Sequence, residues 1–147
     1  MSISAGGVTF VTNATELAAK FGRLAEKIDN PQPVLEGVRR ILNQQEEQVW
    51  GTEGGALGVA WNAIVQPERK TSSEMLVASG NLRRAMSEGG AIRGATLRIS
   101  PRKLFYGRFH QFGTQTMDAR PFSGISDASM RLIVQEFENA TGRDLGL

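Results

Sequence analysis

Cysteine is absent from the 147 residues, which excludes disulfide frameworks and thiolate metal sites. A single histidine excludes metal motifs built on two, and the carboxylates do not fall at the spacing of a calcium-binding loop. No metal or other cofactor is therefore expected. No apolar run approaches the roughly 20 residues that a bilayer-spanning helix needs. The opening MSISAGGVTFV has neither the basic flank nor the apolar stretch of a secretory signal. The expectation is a soluble protein without a membrane partner, used in the compartment where it is made. What remains is ordinary for a globular chain: 40% apolar residues, 22% charged, and a length that suits one domain spanning residues 1–147.

The small net charge of +2 is unevenly spread. Residues 1–53 carry seven acids and five bases, residues 54–125 four acids and ten bases, and residues 126–147 four acids and two bases. A basic middle between acidic ends fits oppositely charged faces meeting in neighbouring subunits, a plain solvated surface, or contact with nucleic acid. The first two are favoured for so small a net charge.

Periodicity predicts an α+β domain: two N-terminal helices, a long glycine-rich loop, a small antiparallel sheet and a C-terminal helix. VTFV at 8–11 suits a strand. Leu17, Phe21, Leu24 and Ile28 recur at helical spacing over residues 13–28, and the Pro31/Pro33 pair stops that helix. A second helix follows over 33–49, with Pro33 in its first turn and Val34, Val38, Ile41, Leu42 and Val49 as its stripe. GTEGGALG opens a stretch, about 51–67, expected to be a flexible loop. It lacks the Gly-Lys-Ser/Thr closure of a phosphate cradle. SGNLRRAMSEGG predicts a short helix capped by Asn81 or Ser79 and ended by Gly89-Gly90. AIRGATLRIS reads as a hairpin turning near Gly94, and Ser126 to Thr141 as a helix striped by Met130, Ile133, Val134 and Phe137 and terminated by Gly142.

YGRFHQFGTQTMDARPF, 106–122, concentrates the only histidine and the only tyrosine among phenylalanines and arginines. His110 lacks a nucleophile setting nearby, and Asp118 is the only adjacent acid, so a structural role outranks general-base chemistry. Apolar or aromatic residues at 105, 106, 109 and 112 have helical spacing, which favours burial or subunit contact over base stacking. Arg120 is held extended by Pro121 and is expected to reach a carboxylate or backbone carbonyls near His110.

The order of motifs resembles the virion morphogenesis, or tail completion, proteins of tailed bacteriophages, the group that includes the Mu-like morphogenesis protein and the neck proteins of long-tailed phages. Trp61 stands for that family's tryptophan. Leu76, Ser79, Gly80, Leu82 and Arg83 match its Leu…Ser-Gly-x-Leu-Arg segment; Tyr106, His110, Gln111, Phe112 and Gly113 match Tyr-Ala-x-x-His-Gln-x-Gly; Ala119, Arg120, Pro121 and Phe122 match Ala-Arg-Pro-Phe. Gly107 and Asp118 replace the usual alanine and proline, and the Lys70-Thr71 order is reversed. The resemblance covers about residues 35–140.

It implies a non-enzymatic structural subunit, found in the virion tail or neck and in the host cytoplasm during assembly. Such subunits form a ring, usually of six, that completes the tail and helps join it to the head, beside terminator and connector proteins. His110, Gln111, Arg120 and Phe122 would hold the interior. Trp61 and the 51–65 loop would meet a neighbouring subunit, unless Trp61 tucks into its own core. Arg93, Arg98, Arg102 and Lys103 would face DNA passing through the ring. The competing readings are a tail terminator that stops tube growth and, from a different class, a small nucleic-acid-binding module.

Overall fold

A computed structural model describes residues 3–5, 8–10, 28–62, 80–94, 96–99 and 106–142. The helix expected over 13–28 lies outside them apart from Ile28, as do Leu76, Ser79, Lys70, Thr71, Arg102 and Lys103. The described elements are strands β1 (Ile3–Ala5) and β2 (Val8–Phe10), helix α1 (Gln32–Gly51), a 3-10 turn (Gly55–Leu57), helix α2 (Asn81–Ser87), strands β3 (Ala91–Arg93) and β4 (Thr96–Arg98), and helices α3 (Gly107–Phe112) and α4 (Asp127–Thr141). The fold is α+β.

The expected β3–β4 hairpin forms with Ile92 opposite Leu97 and Gly94 at the turn (φ +57). It is one half of a larger sheet of order β1-β2-β4-β3, in which β1 and β2 pair antiparallel and β2 lies parallel to β4 through Val8 and Leu97. The sheet is thus mixed, and its parallel joint brings together strands far apart in the chain.

Helix α1 is the spine, because its apolar residues serve two clusters in succession. Val34, Leu35 and Val38 in its first half pack with Leu97 of β4 and with Ile133, Val134 and Phe137 of α4. Val49 and Trp50 at its end pack with Trp61, Leu82, Met86 and Phe122. Each fully buried aliphatic or aromatic side chain here contributes about 1.5–3 kcal/mol. Helix α4 follows the expected design: the Ser126 side chain accepts from Ser129 N–H at 3.2 Å, and Gly142 closes it in the left-handed conformation. Helix α2 departs at its start. Gly80, at φ +74, occupies the cap position expected of Asn81 or Ser79. Asn81 is the first helical residue, and its Oδ1 accepts from Arg84 at 2.8 Å.

Of the stretch expected to be a flexible loop, Gly51 ends α1 and the described residues 52–62 are a hydrogen-bonded series of turns. Thr52 Oγ1 donates to the Gln48 carbonyl at 2.7 Å and accepts from Ala56 N–H at 2.8 Å. Trp61 N–H returns to Glu53 O at 2.7 Å. Gly54 sits at φ +89, where a Cβ would collide with the Val59 carbonyl and come within 2.6 Å of the Trp61 ring. Gly54 therefore lets the chain fold back on itself tightly enough to deliver Trp61 to the core.

Candidate functional site

The stretch singled out in the sequence forms a closed unit: α3, a loop over 113–118, and an extended segment over 119–126 that runs back along α3. Gly113 makes the reversal. Its φ of +72 and ψ of −177 lie in a region essentially restricted to glycine, and a Cβ would fall 2.8 Å from both Met117 O and Ala119 N. Thr114 N–H donates to Met117 O at 2.8 Å, and Arg120 N–H donates to His110 O at 2.6 Å, closing the loop.

Gln111 then does for the extended segment what a neighbouring strand would do. Its Oε1 accepts from Phe122 N–H at 3.1 Å and from Ser123 N–H at 3.0 Å, while its Nε2 donates to Ser123 O at 3.0 Å. Only a carboxamide offers both functions on one side chain of this reach. Farther along, Gln45 of α1 repeats the device, with Nε2 donating to Gly124 O at 2.9 Å and Oε1 accepting from Ser126 N–H at 2.7 Å. On the opposite side Trp61 Nε1 donates to Pro121 O at 2.7 Å, and Arg120 Nε donates to Asn62 O at 3.1 Å. Arg120 thus reaches a backbone carbonyl, as expected, but that of Asn62, and its own amide holds His110. Asn62 Nδ2 in turn donates to Asp118 at 3.2 Å.

Beneath this frame lies the aromatic cluster. Trp61 meets Trp50 edge to face with centroids 5.8 Å apart, and Trp50 meets Phe122 at 5.5 Å. Trp61 and Leu82 are buried here and face inward, Tyr106 packs against the cluster at the start of α3, and Phe122 is 2% exposed. Of the two readings left open for Trp61, the one placing it in its own core describes this geometry. Pro121 fixes the extended path from Arg120 into the cluster.

His110 stands edge-on to Tyr106, with ring centroids 6.2 Å apart and a buried Nδ1 that has no hydrogen-bond partner. Burial holds its pKa below the usual histidine value, and the positive charge of Arg120 adds to that. Glu46 on α1 is 3% exposed with an unpartnered Oε2, and burial pushes its carboxyl well above the usual range. Glu47, one position on, is held low by its hydrogen bond from Arg83 at 2.5 Å.

One aromatic residue of the motif does not join the interior. Phe112, expected with Tyr106 and Phe109 in a stripe for burial or subunit contact, is 65% exposed. It occupies the last turn of α3, on the same face as exposed Arg108 four residues earlier, whose guanidinium lies 4.8 Å over the Phe109 ring. Val59 and Leu132 are the other large apolar side chains that stand clear of the surface among the described residues. Arg93 and Arg98 are exposed on the hairpin.

Sequence reasoning missed Gln45, Glu46 and Trp50. Gln45 and Glu46 are polar residues on a helix whose stripe was read from apolar ones, and nothing local marks them as buried. Trp50 lies one residue past the expected helix end.

Among the described residues no group of three or more histidines and carboxylates is placed to hold a metal ion, and no helix is long and apolar enough to cross a membrane. Comparison of the chain with protein-family models, with curated proteins and with solved structures finds no match.

Proposed function

We propose that the chain is a non-enzymatic structural subunit of a tailed-phage virion, a neck or tail-completion protein that assembles as a ring of six at the head-proximal end of the tail and helps join it to the head. The observation that carries this reading is Phe112. A phenylalanine 65% exposed on a helix braced by Gln111 and Gly113 is an apolar anchor on a rigid base, and such residues concentrate at interfaces. Leu132, on α4 and 48% exposed, supplies a second apolar point on a separate element. A ring needs this arrangement: two different patches on each subunit meet head to tail and close about an axis. Covering the exposed part of Phe112 would contribute about 1–2 kcal/mol per contact.

Several other residues of the motif support a structural role through hydrogen bonds within the chain. Gln111, Arg120, Trp61 and Gln45 spend their hydrogen-bonding capacity on the backbone of this same chain. His110 has no nucleophile and no orienting carboxylate described beside it, and its buried Nδ1 has no hydrogen-bond partner, so nothing among the described residues sets it up as a general base.

The test is electron microscopy of a lysate from a phage carrying an early stop codon in this gene. Filled heads lying beside separate tails of normal length are expected. Tails of uncontrolled length would move the assignment to a terminator, and intact infectious particles would overturn it.

A further inference from the structure

We infer that the outward face of the β3–β4 hairpin is a docking surface for the phosphate backbone of duplex nucleic acid, bound without regard to sequence. Directly opposed residues in an antiparallel pair share a face, so the register Ala91↔Arg98, Ile92↔Leu97, Arg93↔Thr96 sorts the hairpin in two. Ile92 and Leu97 turn inward, packed with α1 and α4, and Leu97 is 1% exposed. Ala91, Arg93, Thr96 and Arg98 form the other face, on which both arginines are exposed. They stand on a diagonal of the strand pair, at a backbone separation of about 7–8 Å.

Among the described residues neither arginine has an ion pair or hydrogen-bond partner; the ion pairs there are Arg39–Glu36 and Arg83–Glu47. Two exposed guanidinium groups on one strand pair suit an anionic occupant, and the planar fork of arginine matches phosphate oxygens two at a time. A carboxylate-rich protein surface offers similar charge, but this face lacks the apolar centre that protein interfaces are built around: between the arginines it has only alanine and threonine. Interfaces with nucleic acid are polar and strongly positive, as here. The face has no asparagine, glutamine or carboxylate beside the arginines with which to distinguish one base pair from another, so the contact is assigned to the backbone.

The experiment compares the full-length chain with its R93Q/R98Q variant, by fluorescence anisotropy of a labelled mixed-sequence duplex across a salt series. Both arginines are exposed, so the variant is expected to keep the wild-type melting temperature. If each neutralises one phosphate, the salt slope of log K flattens by about 1.8 in the variant, so the wild type loses roughly tenfold more affinity than the variant between about 50 and 200 mM salt. Parallel slopes, or no wild-type binding at low salt, would overturn the assignment. Binding of poly-glutamate with the affinity and slope found for DNA would overturn it too, in favour of an acidic protein partner. The head-to-tail joining experiment is independent: failure of either leaves the other standing.

Discussion

Replacing Glu46 by glutamine is expected to stabilise the protein at neutral pH and to remove most of one component of its pH dependence. The carboxyl is 3% exposed, its Oε2 has no partner, and burial raises its folded-state pKa well above the ordinary 4.5. In the unfolded chain the group titrates near that ordinary value. Between the two values the folded state binds a proton that the unfolded state releases, so stability falls as pH rises. The contribution is intact below pH 4.5 and lost by the time the pH passes the folded-state value. Within that window the slope from one proton is about 1.4 kcal/mol per pH unit. The lowered pKa of His110 tilts the other way: its contribution is present above the unfolded histidine value of 6.5 and is lost as pH falls toward the folded one. The difference between the E46Q and wild-type profiles cancels that opposing slope. Urea denaturation is read conveniently from Trp50 and Trp61, both buried near the end of α1. The two proteins should be of similar stability at pH 4.5 and diverge steadily above it, with E46Q the more stable. Profiles that stay parallel up to neutral pH would refute the reasoning, since the ionised carboxylate would then be reaching water or a partner.

Gly113→Ala is expected to cost about 2–4 kcal/mol in chemical denaturation, because it adds a Cβ against Met117 O and Ala119 N in a glycine-only conformation. Trp61→Phe and Trp50→Phe make the same change in size, but only Trp61 loses a hydrogen bond, to Pro121 O, while the Trp50 indole N–H has no partner. W61F should therefore be the less stable by about 1 kcal/mol, and equal midpoints would show that the Pro121 bond contributes nothing net. Phe112→Ser should stay within about 0.5 kcal/mol of wild type yet abolish self-association in sedimentation velocity, whereas unchanged association would remove Phe112 from the interface.

Where a structural decision is local, the residues announce it. Ser126 and Gly142 bound α4 because capping chemistry acts within a turn, and Gly94 turns the hairpin for the same reason. Where a decision joins distant parts, the chain gives no sign. The parallel pairing of β2 with β4 spans most of the sequence. Gln45 carries a polar side chain in a helix and gives no hint that it will meet Gly124 and Ser126, 79 and 81 residues away. Gly80 took a cap expected of Asn81 because a left-handed glycine satisfies the chain geometry without a side-chain bond.

The 106–122 stretch divides along the same line. Its helical period was legible, but a six-residue helix flanked by aromatics does not declare which of them face inward, and that direction was set by contacts with Trp61, Gln111 and the segment after Arg120. Once those contacts are drawn, most of the motif has an intramolecular reason to be what it is. Gln111 mimics a strand, Gly113 makes a turn only glycine allows, Arg120 reaches the Asn62 carbonyl, Pro121 fixes the extended path, and Phe122 fills the aromatic cluster. Phe112 has no such reason. Its exposure loses burial energy that a polar residue there would not forgo, and it stabilises nothing described in this chain. A side chain that the fold does not need, on a helix that Gln111 and the Arg120 amide tie to the following segment, is where the molecule's business with a partner should be sought.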